Sequence, residues 1–145
     1  MELHTTTDHE TIQFGKEFAA KLAGGDVVCL FGELGAGKTT LVKGIAEGLG
    51  VTNTITSPTF TLMNVYGIKT LEHKNIKTMV HIDTYRLKDE KELIEIGVED
   101  YLGNPRVVTI IEWPEKIESL LKNKKLIKIS LEHGQNGERK IQLTT

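Results

Sequence analysis

Gly32-Glu33-Leu34-Gly35-Ala36-Gly37-Lys38-Thr39 decides how this chain is read. The eight residues match G-x-x-x-x-G-K-[ST] in full. The flanks fit as well. Asp26 to Phe31 is a continuous apolar, β-branched run, suited to a strand buried on both faces. Lys38 to Leu49 carries the periodicity of a helix. A glycine loop between such a strand and such a helix has a physical purpose. Glycines allow positive φ, so that successive backbone N–H groups of Gly35, Ala36, Gly37, Lys38, Thr39 and Thr40 can turn inward around a phosphate. The helix N-terminus adds free donors and partial positive charge. Lys38 can reach β- and γ-phosphates, and the Thr39 hydroxyl can ligate Mg²⁺.

Working outward, the other segments suggest strands interleaved with helices. Asp8 to Leu22 has apolar residues at three- and four-residue spacings, with Thr7 or Asp8 as the cap and Gly24-Gly25 as the stop. Thr54 to Phe60 reads as a loop broken by Pro58, and Phe60 to Tyr66 as a strand. Gly67 to Lys77 is polar and reads as an exposed turn. Thr78 to Asp83 and Val107 to Ile111 are strands, Asp89 to Ile96 a short helix, and Pro114 to Leu121 a helix opened by proline. Leu126–Leu131 and Lys140–Thr144 frame a glycine-rich turn, as a terminal β-hairpin does. The expectation is one α/β domain over residues 1–145, with a mostly parallel sheet flanked by helices and a C-terminal β-hairpin. Gly44 and Gly48 share one face of the second helix, which suggests close packing against the sheet.

Composition sets the outer limits. The 145 residues suit one domain, and the net charge of −2 advertises no nucleic-acid surface. Charged residues at 26% and apolar residues at 39% exclude the signature of disorder. Cys29 is the single cysteine, so no intramolecular disulfide can form, and its apolar surroundings mark a buried strand thiol. No apolar run approaches the ~18 residues of a membrane span, and Met1 to Glu10 is too polar for a secretory signal. The expectation is a cytoplasmic protein.

Two acids follow strands directly. Asp83 ends Met79-Val80-His81-Ile82, and Glu112 ends Val107-Val108-Thr109-Ile110-Ile111. Open α/β sheets bind ligands at the carboxyl ends of their strands. A phosphate-loop enzyme needs carboxylates there to hold Mg²⁺ and orient a water. Asp83 and Glu112 are therefore candidates for both roles, and Lys38 is the third catalytic candidate. His81 shares the face of Asp83 and could tune it, although a packed histidine is the plainer reading. His73 and His133 lie in turn-like segments and read as inert. No Cys/His cluster suggests zinc. The Asn-Lys-x-Asp element of guanine-specific GTPases is missing, since Asn123-Lys124-Lys125-Leu126 lacks the Asp. Of Arg86, Arg106 and Arg139, only Arg86 lies near a motif, and no segment reads as the Arg-bearing lid of a small-molecule kinase.

Ser57-Pro58-Thr59-Phe60 occupies the place of a switch loop, where a Ser or Thr meets the γ-phosphate and metal. Four stretches, GELGAGKTT, SPTFTLMNVY, HIDTYRL and IIEWPE, follow one another in that order. Together they resemble the bacterial TsaE (YjeE) family of ATPases over nearly the whole chain. The resemblance implies a small ATPase required for threonylcarbamoyl modification of the adenosine beside the anticodon, in tRNAs that read A-starting codons. It implies TsaB and TsaD as protein partners, with tRNA met only through their complex and no contact with DNA or membrane. It implies ATP and Mg²⁺ as cofactors, with Lys38 and Thr39 on phosphate and metal. Glu112 would serve the metal directly or through water, and Asp83 the metal or the attacking water. Thr11 would match a threonine near the nucleotide base. The segment Gly67 to Lys77 is longer than the family's usual link. A small-molecule kinase and a non-hydrolytic nucleotide-binding module are the competing readings of the same residues.

Trp113 directly follows Glu112 and precedes Pro114. Its emission is expected to change as ATP-Mg is titrated. Saturation by calorimetry with constant emission would place the indole away from the site.

Overall fold

The computed structural model describes residues 1–69 and 75–144. One seven-stranded sheet runs through it in the order β1-β7-β6-β2-β5-β4-β3. The strands are β1 (Glu2–Thr5), β2 (Val27–Phe31), β3 (Met63–Gly67), β4 (Thr78–Asp83), β5 (Val107–Glu112), β6 (Leu126–His133) and β7 (Arg139–Thr144). The central strands β6, β2, β5 and β4 are parallel, and β1, β7 and β3 add antiparallel edges. The α/β expectation holds, and the terminal hairpin is β6–β7. Its first strand extends the parallel centre.

Alternation explains the two cores. Val28 and Leu30 face a cluster with Val108, Ile110 and the helices α1 (Asp8–Ala19) and α2 (Lys38–Leu49). Val27 and Cys29 face the other cluster, with Val107, Ile111, Leu93 and Ile117. That second face is covered by the short helix α3 (Lys91–Glu95) and by 3-10 segments at Val98–Asp100 and Pro114–Leu121. Every residue of β5 is buried, as expected of a strand covered on both faces. Burial pushes the Cys29 thiol up to about 11, which makes it an inert core group.

Local chemistry accounts for most boundaries. Thr7 caps α1 by accepting from the Glu10 amide at 3.1 Å, and the Glu10 carboxylate reaches back to the Thr6 amide at 3.0 Å. Helix α1 stops at Ala19, before the expected Leu22. Strand β3 begins at Met63 rather than Phe60. The Leu62 amide donates to the Pro58 carbonyl at 2.7 Å, and Leu62 has φ 68°, so this stretch turns and leaves Phe60 83% exposed. Strand β1 has no clear local signal, and its pairing with β7 makes it visible only in three dimensions. The expected turn Gly67–Lys77, including His73, lies partly outside the described residues.

The glycines of α2 pack against α1, not against the sheet. A Cβ on Gly44 would meet the Ile12 carbonyl oxygen at 2.4 Å and the Ile12 Cα at 2.9 Å. A Cβ on Gly48 would meet the Lys16 carbonyl oxygen at 2.7 Å, and one on Gly15 the Leu41 carbonyl oxygen at 2.9 Å. Backbone therefore touches backbone along this helix pair. Gly to Ala in a helix ordinarily stabilises by up to ~1 kcal/mol. Here Gly44→Ala is expected to reverse that sign and cost about 1–3 kcal/mol, because a helix must shift to admit the methyl. Urea denaturation midpoints check this, and an unchanged or raised midpoint would refute the backbone contact.

Candidate functional site

Strands β2, β4 and β5 run parallel and end at one edge of the sheet. The loop 32–37 leaves the end of β2 and enters α2 at Gly37. Gly37 has φ 102°, a conformation that L side chains rarely adopt. The first N–H groups of α2 have no acceptor within the helix, and Gly37 brings no side-chain cap. Gly37, Lys38, Thr39 and Thr40 line a cleft of about 560 Å³, within the usual range for small-molecule sites.

Asp83 and Glu112 are registered partners across β4 and β5. The Thr39 hydroxyl lies 3.4 Å from both Glu112 oxygens. Asp83 gathers a different set of donors. Its Oδ2 accepts from Ser57 at 3.3 Å and Thr59 at 3.2 Å, and its Oδ1 accepts from the Tyr85 amide at 2.9 Å. The Ser57–Thr59 loop is thus tied to the acid at the end of β4. It is also anchored to β3, where the Tyr66 hydroxyl accepts from the Thr56 amide at 3.4 Å and the Asn64 side-chain amide donates to the Thr56 carbonyl at 3.3 Å.

Lys38 is 95% buried, being 5% exposed. Its ammonium donates to the Gly32 carbonyl, lies 3.4 Å from the Glu33 carbonyl and sits 3.7 Å above the Trp113 ring centre. Desolvation pushes it below the ordinary lysine value, while the Glu112 and Asp83 carboxylates pull the other way. Trp113 itself is held at φ 62°. The Thr84 hydroxyl donates to the Glu112 carbonyl at 3.2 Å and also to the Trp113 carbonyl, fixing this turn. Non-glycine residues at positive φ persist where their surroundings over-determine them.

Of the residues expected at the site, Gly35, Gly37, Lys38, Thr39, Thr40, Asp83 and Glu112 line this cleft. Ala36 is buried beneath the loop. Thr11 is fully buried on α1, where it meets the Thr5 hydroxyl at 2.9 Å and accepts from Arg139 at 3.3 Å. It joins the cleft only through Arg139, which lines it.

Three contributions go beyond the sequence reading, in which His81 shares the face of Asp83 and could tune it. His81 does not bond Asp83. Its Nε2 lies 2.6 Å from Glu112 Oε2, fully buried, and its Nδ1 has no partner among the described residues. The two-residue alternation puts His81 on the right face but cannot say that the ring crosses to the neighbouring strand. Thr84 is the second contributor. The third is Arg139, which only the tertiary fold brings to the glycine loop.

The donors suit a hard cation. A hydroxyl and two carboxylates are the oxygen ligands that Mg²⁺ takes together with phosphate oxygens and waters. Among the described residues no three His, Cys, Asp or Glu side chains form an all-protein cage, and Mg²⁺ at phosphate sites does not demand one. No helix among the described residues is long and apolar enough to cross a membrane.

Comparison with known proteins places this chain in a family. The family model described as threonylcarbamoyl adenosine biosynthesis protein TsaE matches residues 5–141. The tRNA threonylcarbamoyladenosine biosynthesis protein TsaE of Bacillus subtilis (strain 168) is 37% identical over 144 residues, covering 99% of this chain and 85% of that protein. The protein of the same name from Treponema pallidum (strain Nichols) is 39% identical over 132 residues, covering 91% of each. The crystal structure of Bacillus subtilis YdiB superposes with a TM-score of 0.76 at 32% identity, covering 100% of this chain and 84% of that one. The phosphate loop, the paired acids and these likenesses agree, and the chain belongs to the TsaE family.

Proposed function

We propose that this protein binds ATP with Mg²⁺ and hydrolyses it in the threonylcarbamoyl modification of tRNA, acting with the TsaB–TsaD pair. One observation carries the reading. The register of β4 and β5 sets Asp83 beside Glu112, and Glu112 meets Thr39 at the lip of the phosphate loop.

Each group has a task that its surroundings support. The N–H groups at the start of α2 bind phosphate oxygens. Lys38 exchanges the carbonyls of its own loop for β- and γ-phosphate oxygens and offsets charge there. Thr39 and Glu112 would hold Mg²⁺, which supplies charge neutralisation between the β- and γ-phosphates when bound. His81 fixes the Glu112 carboxylate from behind, so that few rotamers must be frozen when ligand arrives. Asp83, surrounded by hydroxyls, is the group to orient an attacking water. Attack at the γ-phosphorus releases ADP and inorganic phosphate.

The same contacts supply a switch. Ser57 and Thr59 bond Asp83, and Phe60 beside them is an exposed ring with the Arg86 guanidinium 4.6 Å from its centre. A ligand that changes the partners of Asp83 therefore changes the loop's population of states, and with it the surface offered to a partner protein.

Lys38→Ala is expected to lower ATP hydrolysis, measured with TsaB and TsaD present, by about two orders of magnitude. Activity within threefold of the parent would sink the assignment of the loop. Affinity for the TsaB–TsaD pair is expected to differ between ATP analogue, ADP and no nucleotide, and hydrolysis to rise when the pair is added. Equal affinity in all three states with unchanged hydrolysis would favour a plain nucleotide-binding module.

A further inference from the structure

Arg139 opens β7, more than a hundred residues from the glycine loop, yet its side chain lies against that loop. A Cβ on Gly37 would fall 2.9 Å from Arg139 Nε and 3.0 Å from its Cζ. The guanidinium thus occupies the space that a side chain at Gly37 would take. It is held from the other side. Nη2 pairs with Asp8 Oδ1 at 2.7 Å, and Nη1 donates to the Thr11 hydroxyl at 3.3 Å.

This placement is electrostatically awkward by itself. A cation beside the N-terminus of a helix opposes the helix dipole. Lys38 adds a second cation at the same end. Asp8 is 68% exposed, so its charge is screened by water and offsets the cluster only in part. The cleft also holds the Asp83 and Glu112 carboxylates, so its two cations and the N–H groups at the start of α2 suit a ligand with several negative charges that arrives with its own metal cation. A guanidinium carries five N–H donors, and the two contacts to Asp8 and Thr11 do not exhaust them.

We infer that Arg139 is a phosphate-binding residue of the nucleotide site, presented by the C-terminal hairpin to the phosphate chain common to ATP and ADP. The inference rests on the nucleotide reading above and adds to it a ligand that lies outside the loop motif. It also gives Asp8 and Thr11 a role. They hold the guanidinium beside the glycine loop in the absence of ligand, and the Asp8 carboxylate competes with phosphate oxygens for it. The plainer alternative is that Arg139 only ties α1 to β7.

Calorimetric titration of the full chain with ADP and with ATP, each with Mg²⁺, separates these. Arg139→Gln is expected to weaken both nucleotides by a similar factor, roughly 10- to 100-fold, the worth of a charge-assisted hydrogen bond. Arg139→Lys keeps the charge but loses the fork, and is expected to bind several-fold more weakly than the parent. It carries the test should the Gln variant fail to fold. Asp8→Asn removes the tie and a nearby negative charge, so it is expected to bind ADP at least as tightly as the parent. Affinity within threefold of the parent in Arg139→Gln, or unchanged affinity in Arg139→Lys, would overturn the inference. So would parallel losses in Asp8→Asn and Arg139→Gln, which would assign Arg139 to holding α1. Lys38→Ala keeps the two readings distinct. If it weakens ADP while the Arg139 variants do not, the phosphate site stands and the role of Arg139 falls. If the parent binds no ADP, both fall.

Discussion

Two carboxylates at neighbouring strand ends repel each other, and much of the site can be understood as an answer to that repulsion. Parallel strands lie about 4.8 Å apart. Like charges a few ångströms apart repel by a few kcal/mol, on the order of 3 at an effective dielectric of about 20. Among the described residues no Lys or Arg lies within ion-pair distance of either acid, and the one charged-type partner is His81 on Glu112. Asp83 and Glu112 are instead wrapped by separate donors. Glu112 has His81 and Thr39, and Asp83 has Ser57, Thr59 and the Tyr85 amide. Lys38 lies between the loop carbonyls and the indole close by. The division of donors is what makes the two acids chemically different, although their sequence settings are alike.

That difference was not legible in the sequence, while the framework around it was. The loop 32–39, strands β2, β4 and β5 and the Thr7 cap each rest on short-range signals such as apolar runs, glycine spacing and a hydroxyl three residues before the Glu10 amide. The strand-end acids Asp83 and Glu112 follow from those strands. Residues whose role depends on a neighbouring strand left no such mark. His81 alternates correctly but reaches across to Glu112. Glu2–Thr5 carries one apolar residue in four, and pairing with Arg139–Gln142 is what makes it a strand. Phe60 illustrates the converse error. Its apolar character suggests a strand, but Pro58 starts a turn and the ring faces solvent. Gly44 and Gly48 signal close approach without saying to what.

The switch-like loop differs in kind from the rest of the cleft. Loop 32–37 is bound to the ends of two buried regular elements, β2 and α2. Loop 54–59 is anchored by Ile55 in the core and by the Leu62 amide on the Pro58 carbonyl, and its cleft-facing part is attached through hydrogen bonds to Tyr66 and Asn64 on β3 and Asp83 on β4. Such hydrogen bonds are worth about 1 kcal/mol net apiece. A ligand in the cleft has enough interaction energy to rearrange contacts of that size, whereas it cannot displace the core strands.

The glycine seam between α1 and α2 has a mechanical meaning. Packed side chains between two helices form a compliant layer, because rotamers can hop and absorb a small displacement. Here backbone atoms of α1 abut α2 directly at Gly44 and Gly48, and backbone atoms of α2 abut α1 at Gly15. The pair therefore moves as one stiff body, as close-packed interiors transmit strain. A shift of the start of α2 is handed to α1 undamped, and so to Asp8 and Thr11 near its first turn. Both touch Arg139, so the same displacement returns to the glycine loop from its far side. The helix pair and the first residue of β7 thus form a ring of contacts around the phosphate loop, closed by the side chain of Arg139.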